Sequence, residues 1–112
     1  MTVIWTPTAL GQLDEIYDTI QSERDVATAT KWFLKIEDAA AQLADFPLLG
    51  PPIPENALIT TFPAFTDLRQ LVVAPYRIIY ETTASACNIL GVMRCSRLIG
   101  LDNLEPPAEH FS

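Results

Sequence analysis

Residues 67–97 read DLRQLVVAPYRIIYETTASACNILGVMRCSR, and they hold three β-prone runs in close succession. The runs are Asp67 to Val73, Tyr76 to Thr82 and Ala86 to Arg94, rich in β-branched, aromatic and aliphatic residues. Ala74-Pro75 separates the first two, and Thr83 to Ser85 the last two. Connections this short join antiparallel neighbours, so the stretch predicts a three-stranded meander. Alternation places Arg69 on a face with Leu71 and Val73, and Arg77 with Ile79 and Glu81. Arg94 has the parity of Leu90 and Val92. Whether these faces coincide depends on strand register, which the pattern leaves open.

Upstream, Thr2 to Trp5 (TVIW) is a fourth β-prone run, stopped by Pro7. Thr6 or Thr8 can cap a helix that tolerates Pro7 in its first turn. Leu10, Leu13, Ile16, Tyr17 and Ile20 then recur at three- and four-residue steps, predicting an amphipathic helix over 8–23. SERD at 22–25 is a polar turn. A second helix over 26–45 carries Ala29, Trp32, Phe33, Ile36, Ala40 and Leu43 on its apolar face, with Phe46 at its end. So short a link makes the two helices an antiparallel hairpin. Residues 46–66, FPLLGPPIPENALITTFPAFT, contain five prolines and one glycine and end any helix. A connection of that length is either functional or a tolerated surface excursion.

A strand and a helical hairpin cannot bury their apolar faces alone, so the first strand should join the meander. The expected fold is a two-layer α+β domain of order β-α-α-β-β-β, with the helical hairpin on one face of a small, mainly antiparallel sheet. Residues 1–98 form that single domain. Residues 99–112 (IGLDNLEPPAEHFS) read as an acidic, proline-containing tail, poorly ordered or docking on a partner. Trp5, Tyr17, Trp32 and Phe33 read as core, and Tyr76 and Tyr80 as one strand face packing on the helices.

Composition narrows the function classes. The 112 residues are 49% hydrophobic and 19% charged, which excludes disorder for the chain as a whole. A formal charge of -7 argues against broad electrostatic binding to nucleic acid or anionic membranes. Two cysteines, Cys87 and Cys95, are too few for a disulfide framework and lack metal-ligand spacing. No secretory leader pattern and no bilayer-length apolar run is present, so a cytoplasmic protein with reduced thiols and no cofactor is expected. The charge is uneven: residues 1–47 sum to -5, 48–97 to +1 and 98–112 to -3. Every base in the middle segment is arginine: Arg69, Arg77, Arg94 and Arg97. Arginine suits a specific anionic partner, because it stays charged when partly buried and binds carboxylate or phosphate bidentately. Internal pairing with Glu81, Asp67 or the tail is the other reading.

Five segments in order resemble the RelE/ParE superfamily, the toxin halves of bacterial type II toxin–antitoxin modules. IWTPTALGQLDEIYDTI looks like a ParE-type start, a short strand leading through W-T-x-x-A into the first helix. ADFPLLGPPIP resembles the F-P-x-x-G-R-P segment after the second helix, with Pro51 where arginine is usual. LRQLVVAPYRIIYE resembles the L-R-x-L-V-x-x-x-Y-R-I-x-Y core. ILGVMRCSR sits where the last strand usually ends in His-x-x-Arg, with Arg94 at the histidine place and Arg97 at the final arginine.

The resemblance implies one of two activities. RelE-like members cleave messenger RNA on the ribosome, using lysines, arginines and a C-terminal tyrosine or histidine for acid–base work. Here no lysine follows Lys35, no tyrosine follows Tyr80, and the lone histidine, His110, lies in the tail. ParE-like members are associated with poisoning DNA gyrase by binding, which requires a surface and no general acid or base. The ParE-like segments favour that branch, with no catalytic residue expected. The resemblance further implies a cognate ParD-like antitoxin, whose C-terminal segment folds as it wraps the toxin in a hetero-oligomer. The expected partner-binding residues are Arg69, Arg77, Arg94 and Arg97, with the first three lining the sheet face that the helices leave open. The target would be gyrase if ParE-like and the ribosome if RelE-like. A homologue that keeps only antitoxin binding is the third reading.

Overall fold

The computed structural model describes residues 1–54 and 68–106. Its elements are β1 (Thr2–Trp5), α1 (Pro7–Glu23), α2 (Val26–Ala41), β2 (Leu68–Val73), β3 (Tyr76–Thr82) and β4 (Ala86–Arg94). Short 3-10 turns follow at Gln42–Ala44 and Leu101–Asn103. This is the expected β-α-α-β-β-β order. The sheet runs β1-β4-β3-β2. β2, β3 and β4 pair antiparallel as a meander, and β1 lies parallel to β4 with Thr2 opposite Ala86. Ala74-Pro75, joined by a cis peptide bond, makes the turn between β2 and β3. Asp67, expected at the start of that strand, lies outside the described residues.

The helical hairpin covers one sheet face, α1 over β4 and α2 over β2. Ala9, Leu13 and Ile20 of α1 and Ala29, Ile36 and Ala40 of α2 pack on Val73, Tyr76, Ile78, Tyr80, Cys87, Ile89 and Val92. Ala9, Ala29 and Ala40 are wholly buried, so small side chains let the helices sit close to the sheet. Trp5, Tyr17, Trp32 and Phe33 are half-buried against this cluster. The apolar stripe is narrower than the periodicity suggests. Leu10 is exposed at the edge of α1, and Phe46 is 61% exposed. After Ala41 the chain tightens from 3.6 to about 3 residues per turn, so the phase that would carry Phe46 inward is lost.

A second apolar cluster occupies the other sheet face: Ile53, Leu68, Ile79, Leu90, Met93, Ile99 and Leu104. That face is therefore partly covered by the chain's own segments. Ile99 and Leu104 fall in the stretch read from composition as tail, yet both are buried against β3 and β4. Their apolar side chains repeat too briefly to show a periodicity. Residues 107–112, including His110, lie outside the described residues.

Two features of β4 set the site. Ile79 pairs with Gly91 and Tyr80 with Ile89, so Leu90 is an extra, bulged residue. The bulge reverses parity: Leu90 joins the second cluster, while Val92 stays with the helices. Gln12 of α1 serves the edge of β4 just beyond the bulge. Its Oε1 accepts from the Val92 N–H at 2.8 Å, and its Nε2 donates to the Asn103 carbonyl at 2.8 Å. The start of α1 is also held from afar. Thr6 occupies the cap position, but its hydroxyl donates to the Ile89 carbonyl at 2.6 Å. The Thr8 N–H instead donates to the Glu105 carboxylate at 3.0 Å, which places a negative charge at the positive end of the helix. Asp25 caps α2 locally by accepting from the Thr28 N–H at 2.6 Å. Among the described residues no helix is long and apolar enough to cross a membrane.

Candidate partner-binding site

The loop after the helical hairpin is built into the sheet. The Tyr80 hydroxyl donates to the Pro47 carbonyl and accepts from the Gly50 N–H, each at 2.9 Å. Arg69 Nη1 donates to the Gly50 carbonyl at 2.9 Å. Ile53 N–H donates to Leu68, and Gln70 N–H to Pro51, so residues 51–53 lie along the outer edge of β2. A Cβ at position 50 would stand 2.4 Å from the Gln70 carbonyl oxygen and 2.9 Å from the Tyr80 ring. Only glycine lets the loop approach this closely. The anchoring leaves Phe46, Leu48 and Leu49 pointing outward.

Register separates the four arginines. Arg69 pairs with Tyr80 and Val72 with Arg77, so Arg69 faces the helices and Arg77 faces away. The three strand arginines therefore do not line one open face, and each has a different task. Arg69 clamps the loop through Gly50. Arg77 donates to Gln70 Oε1 at 3.3 Å and to the Arg97 carbonyl, holding the chain after β4 against the sheet. Glu81 is four residues along the same strand, roughly 13 Å away, and is not the Arg77 partner. Arg94, opposite Tyr76 at the end of β4, turns to the helix side and lies over the Tyr76 ring, 5.4 Å from its centre. Arg97 is exposed.

Arg94 and Arg97 meet at a cleft of about 310 Å3 between the second half of α1 and the end of β4. One wall is Glu15, Thr19 and Glu23 of α1, and the opposite rim is Arg94, Ser96 and Arg97. Ile16, Ile20, Tyr76 and Val92 line it between. Tyr76 meets Trp32 edge-on at 5.5 Å, and Lys35 Nζ lies 4.7 Å from the Trp32 ring centre. The sequence reading missed Glu15 and Glu23 as site residues. Their signal is the spacing of Glu15, Thr19 and Glu23 at four-residue steps, on one line beside Ile16 and Ile20. The two thiols lie apart and unpaired, with Cys87 buried and Cys95 exposed. Among the described residues no group of three His, Cys, Asp or Glu side chains could hold a metal ion.

A family model described as "ParE toxin of type II toxin-antitoxin system, parDE" matches residues 3–99. The chain belongs to the ParE toxin family. A solved chain from the "Chromosomal ParDE TA system from P. aeruginosa" is similar at 22% identity, over 84% of this chain and 95% of that one, with a TM-score of 0.66. At that identity the likeness is one of fold. No curated protein matches the chain. Membership in the ParE family makes this a toxin-type chain and implies an antitoxin partner. The glycine of the F-P-x-x-G stretch has a physical reason in this chain, since a Cβ at Gly50 would collide with the Gln70 carbonyl of the sheet. Pro51, where arginine is usual, is exposed and contributes its carbonyl to β2.

Proposed function

We propose that the protein acts in the bacterial cytoplasm by binding DNA gyrase and inhibiting it, and that its cognate antitoxin neutralises it by direct association. The separation of the arginines carries this reading. Cleaving an RNA phosphodiester needs several cations and an acid–base pair converging on one phosphate. Here Arg69 and Arg77 are hydrogen-bonded into the fold on opposite sheet faces. The two arginines at the cleft stand across from Glu15 and Glu23, which repel a phosphate. Such an arrangement suits protein recognition, and inhibition by binding asks for no chemistry.

The test is controlled expression in cells with three readouts in parallel: growth, gyrase-dependent DNA breaks and messenger integrity. Growth arrest with DNA breaks and intact messages, reversed by co-expressing the cognate antitoxin, is the expected result. Codon-dependent cuts in messages with gyrase unaffected would replace this reading with a ribosome-dependent endoribonuclease. Unaffected growth would favour an inactive homologue, and antitoxin binding measured on the purified protein would then show whether that role is kept.

A further inference from the structure

We propose that the turn at residues 46–49 is the surface that grips gyrase, its apolar side chains entering a pocket rimmed by basic residues on that enzyme. The inference rests on the gyrase reading above and gives that target a contact surface on this chain. Three observations carry it. The first is exposure. Phe46 (61% exposed), Leu48 (62%) and Leu49 (44%) fall within four consecutive residues, and Pro51 and Pro52, both exposed, extend the patch. Other exposed apolar side chains of the described residues, such as Leu10, Leu34 and Val72, stand singly along the chain. Single exposed leucines are ordinary on a soluble protein, whereas a concentration of them marks an interface.

The second is rigidity. The Phe46 N–H donates to the Gln42 carbonyl, and the Leu49 N–H donates to the Phe46 carbonyl, which closes the turn. The Tyr80 hydroxyl fastens Pro47 and Gly50, and Arg69 fastens Gly50 as well. Held in this way, the turn loses little conformational freedom on binding and keeps most of the gain from burying its side chains. Its form also selects the kind of partner. An outward turn enters a pocket, and a pocket belongs to a folded protein. A segment that folds as it binds lies along a groove or a sheet edge instead.

The third is charge. Asp45, exposed, stands directly before the turn, and residues 1–47 sum to -5 in a chain of -7. Two copies of such a chain repel each other, which sets a second copy aside as the occupant. An enzyme that grips duplex DNA neutralises phosphates with lysine and arginine, so it presents basic surface whatever its fold. The charge of the target thus follows from its substrate, independently of this turn. An apolar centre beside acidic surface complements it: charge steers the encounter and burial holds the complex.

The test uses the full chain and purified gyrase, with affinity measured by calorimetry at two salt concentrations and DNA cleavage followed alongside. Phe46→Ser/Leu48→Ser removes the apolar centre, and Asp45→Lys reverses the adjacent charge. Leu10→Ser/Leu34→Ser, which removes two exposed leucines elsewhere, is the control, and urea midpoints verify folding. Phe46→Ser/Leu48→Ser should weaken gyrase binding and DNA cleavage by about tenfold or more. Asp45→Lys should weaken binding less and flatten its salt dependence. The leucine control should bind gyrase as wild type does, and every variant should keep its affinity for the cognate antitoxin.

If wild type binds gyrase and Phe46→Ser/Leu48→Ser binds it equally well, the surface assignment is overturned while the gyrase reading stands. If wild type does not bind gyrase, both fall. A leucine control that loses as much as Phe46→Ser/Leu48→Ser would also overturn the assignment. So would a Phe46→Ser/Leu48→Ser protein that keeps gyrase and loses the antitoxin, since the antitoxin would then be the occupant. A wild type that sediments as a dimer, beside a monomeric Phe46→Ser/Leu48→Ser, would give the turn to a second copy. Should that pair lower the urea midpoint, Asp45→Lys carries the test, and an unchanged affinity and salt dependence would overturn the assignment.

Discussion

Gly50→Ala should destabilise the protein far more than an alanine for glycine exchange ordinarily does. Position 50 has no positive φ, so in open space the substitution would gain about 0.4–1 kcal/mol by restricting the unfolded chain. Here the added methyl meets the Gln70 carbonyl oxygen at 2.4 Å, its carbon at 2.8 Å and the Tyr80 ring at 2.9 Å. Two of those atoms are backbone of β2 and cannot rotate away, so the loop must move instead. Overpacking of this kind costs about 1–3 kcal/mol. The shift also strains the Gly50 bonds to the Tyr80 hydroxyl and to Arg69, at about 0.5–1.5 kcal/mol each. The sum, about 2–6 kcal/mol, is a large part of the 5–15 kcal/mol that ordinarily holds a small domain together. Gly11→Ala is the control. It sits in α1 with nothing within 4 Å of the new methyl, and should stabilise by about 1 kcal/mol. Urea unfolding followed by circular dichroism reads both. Equal midpoints for the two variants, or a gain for Gly50→Ala, would refute the account of the loop.

Gln12→Leu should cost about 1–3 kcal/mol, because it leaves the Val92 N–H without its acceptor. Hydrogen exchange at Val92 should accelerate, and unchanged exchange would contradict the bridge. Hydrogen bonds from Thr28, its side chain first and then its backbone, hold the Asp25 carboxyl below its usual value. A lowered folded pKa contributes stability above the unfolded value of roughly 3.9 that is lost as pH falls through the carboxylate range. The stability of Asp25→Asn should therefore respond less to acid than that of wild type, and parallel curves would contradict this. Burial pushes the Cys87 thiol up, opposed weakly by the N-terminal ammonium. A raised folded pKa means its stabilisation is complete below the unfolded value of about 8.5 and is lost as pH rises above it. At neutral pH a thiol reagent should modify Cys95 at once and Cys87 only on unfolding; simultaneous reaction would count against the packing.

Element order was legible in the sequence because each element announces itself over several residues. The three- and four-residue steps from Leu13 to Ile20 marked α1, and Ala74-Pro75 and Thr83 to Ser85 marked the hairpins. What was not legible depends on contacts between distant segments. The bulge at Leu90 and the pairing of Val72 with Arg77 decide which arginines face together, and neither leaves a local signature. The split between Arg69 and Arg77 therefore emerged only with the sheet. Ile99 and Leu104 are too few and too irregularly spaced to announce burial, so composition labelled their stretch a tail. Glu105 could not be seen as a cap for α1 across 97 residues of chain. The cleft needed both walls, and only the arginine wall stands out in the sequence, where an arginine-only segment is unusual. The glutamate wall is hidden among the other acids of α1.

The most direct test of the central claim is reconstitution with purified components. The protein is incubated with DNA gyrase and supercoiled plasmid, and in parallel with ribosomes programmed by a defined message. Binding without chemistry predicts dose-dependent, gyrase-linked DNA cleavage that the antitoxin abolishes, with every message left whole. Cut messages on the ribosome beside an unaffected gyrase would contradict it.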